Sequence, residues 1–418
     1  MNTREYPGEF AEETSAPPTR HRTNGQHRAA PQSEPLIKAT PFVFREPRLI
    51  PPRQLLYGRH LIRRFISCTV SPGGLGKSSL ALVDAIAMVT GRNLIGDKPA
   101  RMLRVWYWNL EDPFVEIERK IAAICIHYNI SAGQVDGRLF VNSGRDTKIV
   151  IAREEHGTLL IVEPVTASLK SEITKNKIDV WIIDPFVRSH MVAENDNGKI
   201  SAVCQEYSDI ADTTNSAGEL YHHVRKGHSG QGEYTIEDGR GAVALRDAVR
   251  SARVGNVMSD KEADDSGIER RRRRNYFRIE NGKTNLSAPS DKTDWRYITG
   301  VRLGNATDDD PEDDVGVVTA WAWPNPLDGV TTADLVLAQA AVAEGGPWRE
   351  DSRARDWVGR PVAKVLRLNP GKKQDRAKLR GLLKIWIENG MFEVYEDRDA
   401  KRKTKRFVRV GELASAPV

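Results

Sequence analysis

The stretch Phe65-Ile-Ser-Cys-Thr-Val70, followed directly by Ser71-Pro-Gly-Gly-Leu-Gly-Lys-Ser78, decides the fold. The first six residues are a short apolar run of the kind that forms a buried strand. Three glycines and a Lys-Ser pair follow, and residues 77–89 carry the period of a helix. Strand, turn and helix in this order fit the phosphate-binding pattern G-x-x-x-x-G-K-[ST], except that Ser71 holds its first position. Gly73, Gly74 and Gly76 let backbone N–H groups turn inward around phosphate oxygens. Lys77 is suited to neutralise β- and γ-phosphates and Ser78 to ligate Mg²⁺. The dipole of the helix N-terminus adds to the attraction. The candidate ATP-binding residues are therefore Gly73, Gly74, Leu75, Gly76, Lys77, Ser78 and Ser79. A plain glycine-rich turn would explain the glycines alone; strand, loop, Lys-Ser pair and helix together favour phosphate.

Outward from this loop, short apolar runs at 65–70, 103–108, 138–141, 179–183 and 218–222 alternate with helical patterns at 77–89, 113–127, 164–177 and 199–215. That alternation predicts an α/β fold with a mostly parallel sheet. Segments after 240 are expected to extend it in antiparallel fashion. In Val180-Trp-Ile-Ile-Asp184 four apolar residues carry a strand through the core and leave Asp184 at its carboxyl end, where α/β sites lie. Asp184 is thus the candidate Mg²⁺ carboxylate beside Ser78. Hydrolysis also needs a group to orient water. Trp108-Asn-Leu-Glu-Asp-Pro113 offers Glu111 as base and Asp112 as the cap of the helix opening at Pro113, although either acid could serve as the cap.

Leu220-Tyr-His-His-Val-Arg-Lys226 places a histidine where it could sense a γ-phosphate. A metal site of His222, His223 and His228 is the rival, and it lacks a carboxylate or cysteine at suitable spacing. Residues 227–239 are rich in Gly and Ser, as in a mobile loop. Arg240-Gly-Ala-Val-Ala-Leu-Arg-Asp-Ala-Val-Arg250 supplies arginines that could reach a neighbouring subunit's phosphate. Arg246 and Arg253 also read as surface arginines on a helix.

The chain has 418 residues, with 63 Lys/Arg against 57 Asp/Glu, a formal charge of +6. Its three scattered cysteines, Cys68, Cys125 and Cys204, argue against a disulfide framework or zinc knuckle. With no apolar run of membrane-spanning length and no apolar signal core near the start, the expected location is the cytoplasm. Residues 1–47, rich in Pro, Arg, Glu and Thr, read as a disordered arm. A nucleotide-binding core is expected over 48–300, and an acidic linker with an edge strand over 301–330. The arginine run 270–274 and the acidic run 308–314 read as solvated.

Residues 331–411 form a separate unit, with a short tail over 412–418. Helices are expected at 331–342, 352–366 and 375–388, then a hairpin of 391–395 and 406–410. Thr331 suits an N-cap and Asn389-Gly390 a left-handed C-cap. This order is that of a winged helix. Residues 331–418 hold 19 Lys/Arg and 12 Asp/Glu, a net +7. The whole positive excess therefore lies there, which favours DNA as partner. Lys372, Lys373, Arg376 and Arg380 on the third helix and Lys401, Arg402 and Lys403 at the wing tip are the candidate DNA contacts. A protein-binding winged helix is the alternative.

Taken together, SPGGLGKSS, NLEDP, WIIDPF with Ser189-His190 and Glu194-Asn-Asp-Asn-Gly198, and HHVRKG followed by RGAVALRDAVR resemble the RecA-type family of RepA-like hexameric replicative helicases and AAA-type ATPases of mobile elements. The resemblance covers roughly 48–300. It implies a RecA-like P-loop core, ATP and Mg²⁺ as cofactors, Glu111 as catalytic base, His223 as sensor and Arg250 as a trans-acting arginine, with Arg240 in a related role. It also implies a homo-hexameric ring with single-stranded DNA in its pore and residues 227–239 at the pore loops. Gly218-Glu-Leu-Tyr221 is more polar than that family's apolar run. Three functions follow as expectations: a DNA helicase of a plasmid or mobile element, a DNA-binding replication initiator or regulator whose ATPase controls assembly, and a KaiC-like signalling ATPase.

Overall fold

The structure, a computed structural model, describes residues 39–224, 233–238, 242–286, 293–399 and 401–414. Residues 1–52 and 53–418 are two units. In the first, the described residues 39–52 are exposed and hold one 3₁₀ turn, Pro47–Leu49. Most of the expected disordered arm lies outside the described residues.

The second unit opens with the ribbon β1 (Leu55–Tyr57) and β2 (Leu61–Ile62). Next come β3 (Ile66–Ser71), α1 (Lys77–Thr90), β4 (Val105–Asn109), α2 (Phe114–Tyr128), α3 (Ala132–Val135) and β5 (Leu139–Ser143). A hairpin, β6 (Ala152–Glu155) and β7 (Thr158–Ile161), leads to α4 (Glu163–Lys175), β8 (Val180–Asp184), α5 (Asn197–Thr213) and β9 (Ala217–His223). Then follow α6 (Ala242–Ala248), β10 (Ser251–Val257), α7 (Asp260–Ser266), β11 (Tyr276–Thr284), β12 (Asp294–Arg302) and β13 (Asp314–Ala320). The chain continues through α8 (Thr332–Ala343), β14 (Trp348–Arg349), α9 (Gly359–Val365), α10 (Lys373–Glu388), β15 (Phe392–Arg398) and β16 (Thr404–Val410).

The central sheet has the order β13-β12-β11-β10-β3-β9-β8-β4-β5 among the described residues. From β10 to β5 all neighbours are parallel. Its β3 is apolar or small at every position and wholly buried, because helices cover both faces. One face packs α1 and α2, the other α4, α5 and α6. The expected antiparallel extension begins one strand later than anticipated: β10 pairs parallel with β3, and only β11, β12 and β13 alternate in direction. The sheet also runs past residue 300, since β13 is its edge and Ser79 on α1 is hydrogen-bonded to β13 backbone.

The polarity of β9 has a packing cause. A Cβ on Gly218 would stand 2.1 Å from the Trp181 indole, so the position needs glycine. Glu219 is buried but accepts from Thr69 Oγ1 at 2.6 Å and bonds His60 Nε2 at 2.8 Å. Arg253, which also reads as a surface arginine on a helix, is instead on β10, 5% exposed, and donates to Asp84 Oδ2 at 2.8 Å. Buried charges of this kind persist only when paired.

The last elements build a small core of their own around Trp357, Val362, Leu379, Leu382, Trp386 and Phe392, under a sheet of order β14-β16-β15. Thr331 caps α8 in a reciprocal capping box with Asp334. Gly390, with φ 76°, takes the left-handed position after α10. The helix expected at 352–366 is only Gly359–Val365; before it, Trp357, which forms a β-bridge with Arg349, and Val358 are buried.

Candidate functional site

The glycine-rich turn lies between β3 and α1, at the carboxyl end of the parallel strands. Gly74 and Gly76 have φ of 78° and 88°, in the region that favours glycine, and Gly76 is the N-cap of α1. Leu75 is buried in the core and anchors the turn. Its approach to β10 is close: a Cβ on Gly255 would lie 2.9 Å from Ser71 Cβ and 3.2 Å from Leu75 Cδ2. Gly73 has open space around it. Ser79 commits its hydroxyl to Gly316 O at 3.0 Å and to the Val318 N–H at 3.2 Å, so only its backbone N–H can serve a phosphate.

Lys77 folds back over the turn and donates to Pro72 O at 3.0 Å and Ser71 O at 3.4 Å. Burial lowers its pKa to about 8, against the raising influence of Asp184 and Glu111. Both candidate carboxylates therefore act on the one lysine. Asp184 ends β8 and is 3% exposed. Burial lifts its pKa above the ordinary value, although hydrogen bonds from Ser78 and Tyr107 and the charge of Lys77 oppose the shift. A hydroxyl and a carboxylate side by side are hard oxygen donors, and they fit Mg²⁺ that keeps water and phosphate oxygens in its other positions. The strand of Asp184 is not the immediate neighbour of β3; β9 lies between them.

Glu111 follows β4, the next strand out from β8. Its carboxylate is half-exposed and meets Arg188 Nε at 3.5 Å. Its carbonyl accepts from Arg145 Nε at 2.8 Å, and its N–H donates to Asn109 Oδ1 at 2.9 Å. Asp112 is not the helix cap: Pro113 occupies that position, and Asp112 pairs with Lys120 at 2.5 Å. Lys120 stands in the second turn of α2, so a side chain rather than the first-turn N–H groups engages this carboxylate. Sequence alone assigns no role to Arg145, Arg188 or Asn109; only Asn109, within the NLEDP block, carries a signal.

His223 ends β9 in register with Ser71, at the start of the loop. His222 points to the other face, buried against the Phe186 ring. Alternation along the strand thus separates the two histidines, which weakens the rival metal set; His228 lies outside the described residues. No group of three or more His, Cys, Asp or Glu among the described residues is arranged to hold a metal. Arg250 is exposed just before β10, at the amino end of the parallel strands and opposite the glycine-rich turn. Arg240 and most of the loop expected over 227–239 lie outside the described residues.

The candidate DNA contacts divide. Lys373 pairs with Asp264 of α7 at 2.9 Å and donates to Ile268 O at 2.5 Å. Arg380 pairs with Asp265 at 3.0 Å. A Cβ on Gly267 would stand 2.8 Å from Gln374 Cα, so the start of α10 packs closely on the core. Arg376 is exposed and donates to Pro370 O at 2.8 Å, and Lys372 is exposed. Lys401, Arg402 and Lys403 are exposed between β15 and β16.

No helix among the described residues is long and apolar enough to cross a membrane. Residues 31–229 match the family model described as AAA domain. A solved structure described as an ATPase domain aligns with TM-score 0.41 and 13% identity, over 56% of this chain and 82% of that one. The glycine-rich turn on β3, the Asp184 carboxylate beside Ser78 and the family match agree on a P-loop ATPase domain.

Proposed function

We propose that the protein is a RecA-like ring ATPase acting on DNA, a replicative helicase of a plasmid or mobile element working as a homo-hexamer. The observation that carries this reading is the strand order β3-β9-β8-β4, which gathers Lys77, Ser78, Asp184 and Glu111 at the carboxyl ends of these strands. In it, backbone N–H groups of 73–79 and Lys77 bind the phosphates of ATP, and Ser78 and Asp184 hold Mg²⁺. Bound Mg²⁺ neutralises developing phosphate charge. Glu111 orients the attacking water and takes its proton. His223, beside Ser71, senses the γ-phosphate. Arg250, remote from its own loop and exposed, serves a neighbouring subunit's phosphate, with Arg240 assisting. Single-stranded DNA occupies the ring pore.

In this reading the 331–411 unit is a winged helix that contacts duplex DNA. Lys372, Arg376, Lys401, Arg402 and Lys403 are its available cations, while Lys373 and Arg380 are engaged by Asp264 and Asp265. The exposed cations of this unit also support a second reading, a DNA-binding replication initiator or regulator whose ATPase controls assembly. A direct test measures ATP hydrolysis with and without single-stranded DNA, alongside strand displacement on a forked duplex. The helicase reading expects DNA-stimulated hydrolysis and unwinding, both lost in Lys77→Ala. Hydrolysis without stimulation or unwinding would leave the initiator reading. Mixing Arg250→Ala with Glu111→Gln subunits should restore activity at mixed interfaces; no recovery in any mixture would refute the shared site.

A further inference from the structure

Asp184 and Glu111 come from different strands, yet an unbroken chain of hydrogen bonds joins them. The parallel register of β4 and β8 sets Asn109 opposite Asp184. Earlier on the same face of β4, the fully buried Tyr107 donates its hydroxyl to Asp184 Oδ2 at 2.9 Å. The same hydroxyl accepts from Asn109 Nδ2 at 3.1 Å. The amide's other end, Oδ1, accepts from the N–H groups of Glu111 at 2.9 Å and Asp112 at 2.7 Å.

The inventory of donors and acceptors leaves little freedom. A phenol has one proton, and here it goes to the carboxylate, so Asn109 must present its NH₂ to the phenol and its oxygen to the loop. Backbone bonds hold the same frame: Leu110 N–H donates to Asp184 O and Gly144 N–H to Asn109 O, both at 2.7 Å. A Cβ on Gly144 would lie 2.7 Å from Leu110 Cα, so glycine there admits the loop.

We propose that Tyr107 and Asn109 are positioning residues that join the Mg²⁺-binding carboxylate of Asp184 to the backbone of Glu111, so that one hydrogen-bonded chain orients both groups of the hydrolytic site. The proposal rests on the roles of Asp184 and Glu111 proposed above. Tyr107 acts on the carboxylate that receives the cation, and Asn109 on the loop that carries the base.

The two residues should fail in different ways, in the full chain. Tyr107→Phe should raise the Mg²⁺ concentration for half-maximal hydrolysis by about 10- to 100-fold, the range typical when an outer partner of a metal ligand is removed. Excess Mg²⁺ should restore most of its rate, and binding of a fluorescent ATP analogue in EDTA should stay unchanged. Asn109→Ala should lower kcat about tenfold at saturating Mg²⁺, with analogue binding unchanged, because it releases the Glu111 backbone. An unshifted Mg²⁺ midpoint in Tyr107→Phe, or an unchanged kcat in Asn109→Ala, would overturn the proposal. Thermal unfolding of both variants separates these effects from loss of fold, and Asn109→Ala alone suffices if Tyr107→Phe is insoluble. Asp184→Asn and Glu111→Gln run in parallel. Wild-type hydrolysis in those two would refute the underlying site, whereas their inactivity beside a silent Tyr107→Phe would sink only the coupling.

Discussion

Arg253→Met tests whether the charges beneath α1 act as one structural unit. The guanidinium sits between β10, β3 and α1, its side chain 6% exposed. It donates to Asp84 Oδ2 at 2.8 Å and Thr69 Oγ1 at 3.1 Å, and lies 3.9 Å from Glu219 Oε1. Asp84 is also held by the Tyr57 hydroxyl at 2.8 Å. Methionine fills similar space but removes the charge that faces two buried carboxylates. Breaking a buried pair from one side costs about 3–5 kcal/mol, since the remaining charge is uncompensated. Against a total stability of about 5–15 kcal/mol this is a large share. At roughly 2–4 °C per kcal/mol for a domain of this size, the unfolding midpoint should fall by about 6–20 °C. Urea unfolding followed by circular dichroism measures the free-energy loss, and a thermal scan the shift in midpoint. Adding Asp84→Asn removes one of the stranded charges, so the double variant should lose less than the two single losses combined. A loss below about 1 kcal/mol in Arg253→Met, the level of an exposed ion pair, would refute the reasoning. So would strict additivity in the double variant.

Lys77 gives a pH signature. Its folded pKa of about 8 lies below the ordinary 10.5, so the unfolded chain binds the extra proton between those values and this group's contribution to stability rises with pH there. Nucleotide affinity should move the other way, falling as pH passes about 8 because the cation is lost; fluorescent-nucleotide titrations from pH 7 to about 9.5 check it, and a flat profile contradicts it. Gly218→Ala forces a methyl group into the Trp181 indole and should cost about 1–3 kcal/mol by urea unfolding, with Trp181→Phe in the same chain recovering part of the loss. If the wing tip contacts DNA, Lys401→Ala, Arg402→Ala and Lys403→Ala combined should weaken duplex binding and lower the slope of log affinity against log salt by up to about 2.7. An unchanged slope would favour a protein partner for this unit.

The glycine-rich turn is legible in the sequence because every part of it is local. β3, the turn and the first turn of α1 are consecutive, and their residue types match what each needs. Asp184 is legible for the same reason, as the first polar residue after a buried run. The β6–β7 hairpin escapes such a reading, although His156 and Gly157, with φ of 49° and 80°, mark its turn. Its strands are half-polar, and their pairing partners lie in the hairpin itself rather than in the main sheet.

Chain-local information settles the glycine-rich turn between β3 and α1, the alternation that makes the sheet parallel, and the concentration of positive charge in the last 88 residues. These follow from neighbours along the chain and from composition. Which distant groups meet is settled only by folding in three dimensions. Folding pairs Arg253 with Asp84 and Glu219 with His60, turning residues that read as surface or anomalous into a buried network. It lays α10 against α7, so that Lys373 and Arg380 face aspartates. It sets Tyr107 and Asn109 between Asp184 and Glu111 through the register of two strands more than 70 residues apart in sequence. Strand order and register are global properties. No local pattern encodes them, and they determine whether a buried charge is paired and what a carboxylate touches.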